Sequence, residues 1–360
     1  MQAKIKNRRL AIIRTDASSQ IGMGHLMRCF GLAEALRARN FKVVFAVKNH
    51  LDYLSEKIRK NGYKVEFIPR GFNNRQDADL LVNYIAKYRP SIVITDSYSI
   101  DNPYLKRIKD AGCILVSLSR LSRNDLYSDL IINYSLGISR QDYSKKAKPG
   151  ARLLLGPKYF LLRKEFLNVI RRKKIKKNRR IKLLVSLGGS DASKIVLKIL
   201  KGLSVFRDKI CLNVVIGPAY KLASRIKTIA RKEFTGSKIY TNPPRISKLM
   251  SEADLAITGA GITCYELAYL GVPNIIMAIA GNQKSNLENF TKKRLAIGLG
   301  EACRVNKADI REAAGRLIRS KRLRDLISIK GRGLVNGKGA EMVSRVIERI
   351  HNNGHEDKGR

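Results

Sequence analysis

Leu10-Ala11-Ile12-Ile13-Arg14-Thr15-Asp16 runs into Ala17-Ser18-Ser19-Gln20-Ile21-Gly22-Met23-Gly24, and His25-Leu26-Met27-Arg28-Cys29 then opens a helix-period stretch that continues to Arg39. A β-branched apolar run, a polar loop with two glycines and a helix are the first half of a βαβ unit. In an open α/β sheet this junction lies at the carboxyl edge, where ligands bind. The spelling is not the dinucleotide fingerprint, and a Gly-x-Gly before a helix is by itself only a tight turn.

Working outward, the same alternation repeats. Leu10–Arg14, Val43–Val47, Lys64–Ile68, Ile92–Asp96, Cys113–Leu118 and Leu130–Asn133 read as strands, with helices over His25–Arg39, Leu51–Lys60, Asp79–Tyr88 and Pro103–Ala111. The pattern breaks between Gly150 and Arg180 and then restarts. Strands are expected at Ile181–Leu187, Cys211–Ile216, Ile239–Tyr240, Leu255–Thr258 and Asn274–Ala278, separated by helices at Ala192–Leu203, Ala219–Lys232, Ile246–Ser251, Thr263–Leu270 and Asn286–Lys293. The fold expected is therefore α/β, with two Rossmann-like, doubly wound domains facing a cleft. The boundaries read as 1–155 for the first domain, 156–182 for an interdomain segment, 183–351 for the second domain and 352–360 for a polar tail. One of the late helices can cross back to the first domain.

The chain has 360 residues, 44% of them hydrophobic, which suits two folded domains. Its five scattered cysteines, Cys29, Cys113, Cys211, Cys264 and Cys303, show neither disulfide nor zinc spacing, and a reducing cytoplasm is expected. No apolar run approaches the roughly 18 to 20 residues needed to span a bilayer, and Met1–Arg9 leads straight into a strand-like segment. With 72 Lys plus Arg against 29 Asp plus Glu, the formal charge of +43 favours anionic partners. The densest cluster, 171–180, has no interleaved aromatics and no Gly-Arg repeat, so specific nucleic-acid binding is not expected. A solvated charged segment is the preferred reading, and peripheral contact with an acidic membrane surface the next. Nothing in the sequence fixes the oligomeric state; a monomer is favoured.

Four histidines exist. His50 follows a strand as a possible cap, and His351 and His355 lie near the chain end. His25 alone sits where a ligand binds, and histidine, titrating near 6.5 in model peptides, suits proton transfer at neutral pH. A lone histidine in an arbitrary helix is more often structural; its place in this loop reverses that preference. In the second half, Ser186-Leu187-Gly188-Gly189-Ser190-Asp191 and Thr258-Gly259-Ala260-Gly261-Ile262-Thr263 again join a strand to a helix. Amides at a helix N-terminus carry partial positive charge and hold a diphosphate without a metal. Glu266, one turn further, can accept both hydroxyls of a ribose, or simply stabilise the helix dipole. Asn282 and Gln283 follow the next strand, where amides can hold sugar hydroxyls or a water, although a helix cap explains Asn282 equally well. Asp77-Ala78-Asp79 spells the metal-holding Asp-x-Asp, but it opens an amphipathic helix and reads better as capping. No metal and no cofactor are expected.

These loops resemble the PseG family, the UDP-2,4-diacetamido-2,4,6-trideoxy-β-L-altropyranose hydrolases of pseudaminic acid synthesis, and the related SpsG-type polysaccharide proteins. The matches are Arg14 to Ser18, Ile21 to Cys29, Tyr159 to Phe166, Leu187 to Asp191 and Ala253 to Gln283. The resemblance implies a GT-B fold and metal-independent, inverting hydrolysis that releases UDP. It implies His25 as general base and Tyr98 near the sugar; from the reading of the loops, Asp16, Gly22, Gly24, Arg28, Asn282 and Gln283 are also expected on the sugar. With the glycine-rich junctions, UDP is expected on Gly188, Gly189, Ser190, Gly259, Ala260, Gly261, Ile262, Thr263 and Glu266. The last glycine-rich region is also similar to MurG, a membrane-associated glycosyltransferase. Ser119-Arg120 and Tyr134 depart from the hydrolase pattern, which has an Asp-Asp pair and an Asn there, and the third loop is nearer the SpsG-type spelling. Two rivals therefore stay open: a GT-B glycosyltransferase passing the sugar to a lipid or glycan, and a UDP-sugar-binding protein without turnover.

Overall fold

The computed structural model describes residues 9–16, 24–48, 52–118, 125–169, 180–189, 192–217 and 220–356. The chain divides into two compact units, one built on His25–Arg163 together with the first strand and Lys338–Arg360, the other on Lys164–Gly337.

The first unit contains β1 (Leu10–Asp16), α1 (Gly24–Arg37), β2 (Lys42–Lys48), α2 (Asp52–Lys60), β3 (Lys64–Ile68), α3 (Asn74–Tyr88), β4 (Ile92–Asp96), α4 (Asn102–Asp110), β5 (Ile114–Leu118), β6 (Leu130–Asn133) and β7 (Arg152–Leu155). Its seven strands are parallel in the order β3-β2-β1-β4-β5-β6-β7. The central strands are buried on both faces, which is why β1 and β4 read as continuous apolar runs rather than alternating ones. Helix α1 is buried over almost its whole length, from His25 to Ala33 and again at Leu36. Gly31 makes that possible, because a Cβ there would stand 2.8 Å from the Leu161 carbonyl oxygen and 3.0 Å from that of Leu162.

The second unit holds α5 (Lys164–Leu167), β8 (Ile181–Ser186), α6 (Ser193–Leu203), β9 (Ile210–Ile216), α7 (Ala223–Glu233), β10 (Lys238–Thr241), α8 (Ile246–Glu252), β11 (Leu255–Gly259), α9 (Ile262–Leu270), β12 (Asn274–Ala278), α10 (Lys284–Lys292), β13 (Ile297–Glu301), α11 (Lys307–Arg319) and α12 (Lys321–Leu334). Its six-stranded sheet has the order β10-β9-β8-β11-β12-β13. Helix α9 is apolar nearly all round because α12 covers its outer side. Gly331 of α12 has no side chain to obstruct the Ala268 backbone, 3.1 Å from where its Cβ would lie.

Two expectations need correction. The second domain was read as running to 351, yet α13 (Gly339–Glu356) belongs to the first unit. Glu348 binds Arg9 at 2.6 Å and Arg39 at 2.5 Å, and His351 packs its ring against Phe41, 5.4 Å between centroids. Likewise, Asp77 does not cap the helix that follows it. Asn73 and Gln76 form a reciprocal capping box, so α3 starts one turn earlier and the Asp77 side chain is free to face the sheet. Strands β7 and β13, absent from the sequence reading, are short edge strands, and β13 carries two glycines. Among the described residues no helix is long and apolar enough to cross a membrane.

Candidate active site

Each sheet has one point where neighbouring strands send their crossovers in opposite directions: β1 beside β4 in the first unit, β8 beside β11 in the second. Loops leaving such a pair diverge and leave a crevice at the carboxyl edge.

At the first of these, Asp96 ends β4 and is wholly buried. His25, on the first turn of α1, directs Nδ1 to Asp96 Oδ1 at 2.6 Å. A carboxylate can only accept, so the Nδ1 proton is donated; in a neutral ring the lone pair then falls to Nε2. Nε2 is buried and has no hydrogen-bond partner among the described residues. Tyr98, 40% exposed, stands edge-on to the imidazole with centroids 4.3 Å apart. Arg28, one helical turn beyond His25, donates Nε to Asp96 Oδ2 at 2.5 Å and a second N–H to Oδ1, while its Nη1 donates to the Tyr134 hydroxyl at 2.8 Å. Cys29 Sγ adds a contact to Asp96 Oδ2 at 3.3 Å. Burial alone would push the Asp96 carboxyl up; the Arg28 guanidinium and the His25 ring outweigh it and hold the group well below the usual carboxylate range.

Beneath this lies a second buried network. Arg14, wholly buried on β1, donates Nε and Nη2 to Asp77 at 3.1 and 2.6 Å and Nη1 to Asp16 at 2.7 Å. Tyr104 donates to Asp77 at 2.8 Å, and Lys48 Nζ lies 3.3 Å from it. Burial raises the Asp77 carboxyl, but its bonds to Arg14 and Tyr104 prevail and the net shift is downward. Asp79 pairs with Arg107. Both carboxylates of the Asp-x-Asp spelling are thus engaged by arginines.

The second switch point is made of backbone. Gly188 follows β8 with φ of +92°, a conformation that favours glycine, and Thr258 Oγ1 ties β11 to the Ser186 carbonyl at 2.7 Å. Gly259 closes β11 for a packing reason: its Cβ would lie 2.6 Å from Ile279 Cδ1 and 3.2 Å from Gln283 Oε1. Gly261 precedes α9, and the Gln283 amide nitrogen lies 3.4 Å from where a Cβ would be. Gln283 Oε1 accepts from the Ile279 amide at 3.1 Å, so this side chain is fixed beside the loop 259–261. Gln283 also stands at the start of α10, the place the capping reading gave to Asn282, which is exposed. Glu266 is 3% exposed and lies on the fifth residue of α9, beyond the first turn where a helix-dipole role would place it. Gly189, Ala260, Ile262 and Thr263 fall on these same two loops and the α9 start; at Gly24 a Cβ would meet nothing within 4 Å. Gly22 and Ser190 lie outside the described residues.

Asp96 and Tyr134 are the site residues that reading the sequence did not assign. A carboxylate ending the strand next to β1 is the signal that was available for Asp96. Arg28, expected on the sugar, spends its fork on Asp96 and Tyr134 instead.

Residues 183–321 match the glycosyltransferase family 28 C-terminal domain. An uncharacterized protein of Methanocaldococcus jannaschii is 31% identical over 79% of this chain, and the matched part spans 58% of that protein's length. The spore coat polysaccharide biosynthesis protein SpsG of Bacillus subtilis is 26% identical, covering 94% of this chain and 98% of its own. The UDP-2,4-diacetamido-2,4,6-trideoxy-β-L-altropyranose hydrolase of Campylobacter jejuni is 23% identical over 78% of this chain and 96% of its own. In structure the chain is similar to Acinetobacter baumannii MurG, with a TM-score of 0.68 at 13% identity over 94% of this chain and 99% of that one. The fold is therefore GT-B, two Rossmann-like domains of the glycosyltransferase type.

Proposed function

We propose that this chain hydrolyses a UDP-sugar without a metal and with inversion at the anomeric carbon, the substrate class being UDP-2,4-diacetamido-2,4,6-trideoxy-β-L-altropyranose. The observation that carries the reading is His25: a buried imidazole oriented by Asp96 through Nδ1, with Nε2 left to take a proton. His25 Nε2 removes a proton from water as its oxygen bonds to C1, and the C1–O bond to UDP breaks on the opposite side. UDP leaves with the electron pair. The amides of loops 188–191 and 259–263 take up the diphosphate charge, and Glu266 takes the ribose. The name and coverage of the Campylobacter relative support the hydrolase reading.

Transfer to a lipid or glycan acceptor is the second reading, favoured by the family 28 match and by the outer side of α12. There Leu326 and Ile329 are 38% and 70% exposed among Lys321, Arg322 and Lys330, a combination suited to an acidic membrane surface.

Incubation of the purified chain with the UDP-sugar and no acceptor separates these. Stoichiometric UDP and free 2,4-diacetamido-2,4,6-trideoxy-L-altrose, first formed as the inverted anomer, are the expected products. Intact substrate that is consumed only when membranes or glycan are added favours transfer; binding without consumption in either case favours a non-catalytic protein. The hydrolytic rate is expected to persist in excess EDTA, because Arg14 and Arg107 occupy the carboxylates of Asp77 and Asp79.

A further inference from the structure

We propose that Arg28, braced by Tyr134, is a positioning residue that keeps His25 in its neutral, Nδ1-protonated form, so that Nε2 stands ready as the base. The inference rests on reading His25 as the proton acceptor.

An aspartate alone beside an imidazole favours the protonated ring, and a protonated ring has no lone pair with which to take a proton from water. Here the aspartate is already matched. Both Asp96 oxygens accept from Arg28, and Oδ1 is shared between Arg28 Nη2 and His25 Nδ1. Nη2 and Nδ1 are themselves 3.2 Å apart, and both donate to the same oxygen, so neither can accept from the other. With neutral His25 the buried trio sums to zero charge. Protonating Nε2 would place a second cation against the guanidinium in a site where His25, Arg28 and Asp96 are 4%, 4% and 0% exposed.

Among the described residues, the groups that face the ring add no charge that offsets that repulsion. Within α1 the neighbours are Arg28 and Cys29, whose thiol burial pushes up and so keeps uncharged. Asp96 comes from β4, Tyr98 from the segment after it, and Tyr134 from the segment after β6. On the neighbouring strand β1, Asp16 is already paired with Arg14. Tyr134 matters because it fixes the third arm of the guanidinium. Its hydroxyl accepts from Nη1 at 2.8 Å, and its ring packs edge-on against Phe160, 5.0 Å between centroids, so the brace is itself held.

The test is a ¹⁵N-histidine NMR titration of the full chain without any sugar, which keeps failure of this inference separate from failure of the hydrolase reading. The ring of His25 is assigned by its loss in His25→Asn. In the native chain at pH 7.5 the nitrogen shifts are expected to show the neutral ring with the proton on Nδ1; a doubly protonated ring, or the proton on Nε2, overturns the proposal whatever the variants do. In Arg28→Gln the midpoint of the His25 titration is expected to rise by about one pH unit or more, the scale of a charge within roughly 4 to 6 Å. A folded Arg28→Gln whose midpoint stays or falls overturns the role of Arg28. Tyr134→Phe keeps the ring packing and removes only the hydroxyl, and a smaller upward shift with unchanged UDP affinity is expected. An unmoved midpoint there removes Tyr134 from the assignment.

Discussion

The two switch points occupy equivalent places in two similar parallel sheets, yet they are built from opposite chemistry. The one between β1 and β4 is made of side chains: Asp96, His25 and Arg28 form a buried, charge-balanced cluster above a second one of Arg14, Asp77, Asp16, Lys48 and Tyr104. The one between β8 and β11 is made of glycines, helix-terminal amides and the neutral side chain of Gln283, with Glu266 a buried carboxylate on α9. A diphosphate is best held by fixed dipoles whose charge does not depend on pH. A proton must be moved by a group that can titrate. On the proposed reading, the difference gives binding to the second unit and chemistry to the first.

The sharpest break in that comparison is Asp96→Asn. It is expected to lower turnover by at least about 10²-fold, because the amide no longer holds Nδ1–H against a negative charge. It also leaves Arg28 buried beside a neutral group, at a cost on the order of 3 to 5 kcal/mol in chemical denaturation. Turnover within a few-fold of native would remove Asp96 from the site. Next comes Glu266→Ala, which is expected to weaken UDP binding by about tenfold in calorimetry, near 1.4 kcal/mol, with little change in turnover at saturation. Unchanged UDP affinity would take Glu266 out of the nucleotide site.

A pair of glycines sharpens the contrast between space and function. Gly259→Ala must displace Ile279 and Gln283 and is expected to cost about 1 to 3 kcal/mol in a denaturant series. Gly24→Ala meets no atom within 4 Å and is expected to change stability by no more than about 0.5 kcal/mol; on the proposed reading of Gly24 as a sugar contact it lowers turnover. Full activity in Gly24→Ala would show that the open space is not used. The smallest expected effect concerns acid stability. The folded Asp77 carboxyl lies below its unfolded value of about 3.9, so the stability it contributes is complete above that pH and is lost as pH falls through the folded value. The gap between native and Asp77→Asn melting temperatures is expected to be constant from pH 7 to about 5 and to narrow toward pH 3; a gap that widens on acidification contradicts the assignment.

Much of this was legible in the sequence because strands buried on both faces leave continuous apolar runs: β4, β6 and β12 fall where those runs do. The His25 loop and both second-unit loops were visible as glycines at strand-to-helix junctions. What escaped was whatever depends on a distant partner. Asp96 looked like an ordinary strand end until α1 brought His25 and Arg28 against it, 71 and 68 positions away in sequence. Arg14 and Asp77 are 63 apart, and only the Asn73 and Gln76 capping box, readable in principle as Asn-x-x-Gln, would have released Asp77 from the helix start. Helix α13 kept the apolar period of a late second-domain helix; its attachment to the first unit rests on Arg9 and Arg39 meeting Glu348, more than 300 residues away.

The division of labour is tested most directly by His25→Asn, measured for both UDP affinity and turnover of the UDP-sugar in one preparation. Asparagine keeps some hydrogen bonding to Asp96 but cannot act as a base near neutral pH. The expected result is a UDP Kd within about twofold of native and a kcat lower by at least about 10²-fold, with the acid limb of the pH profile gone. Native turnover with the native pH profile, or a loss confined to UDP affinity, would contradict it.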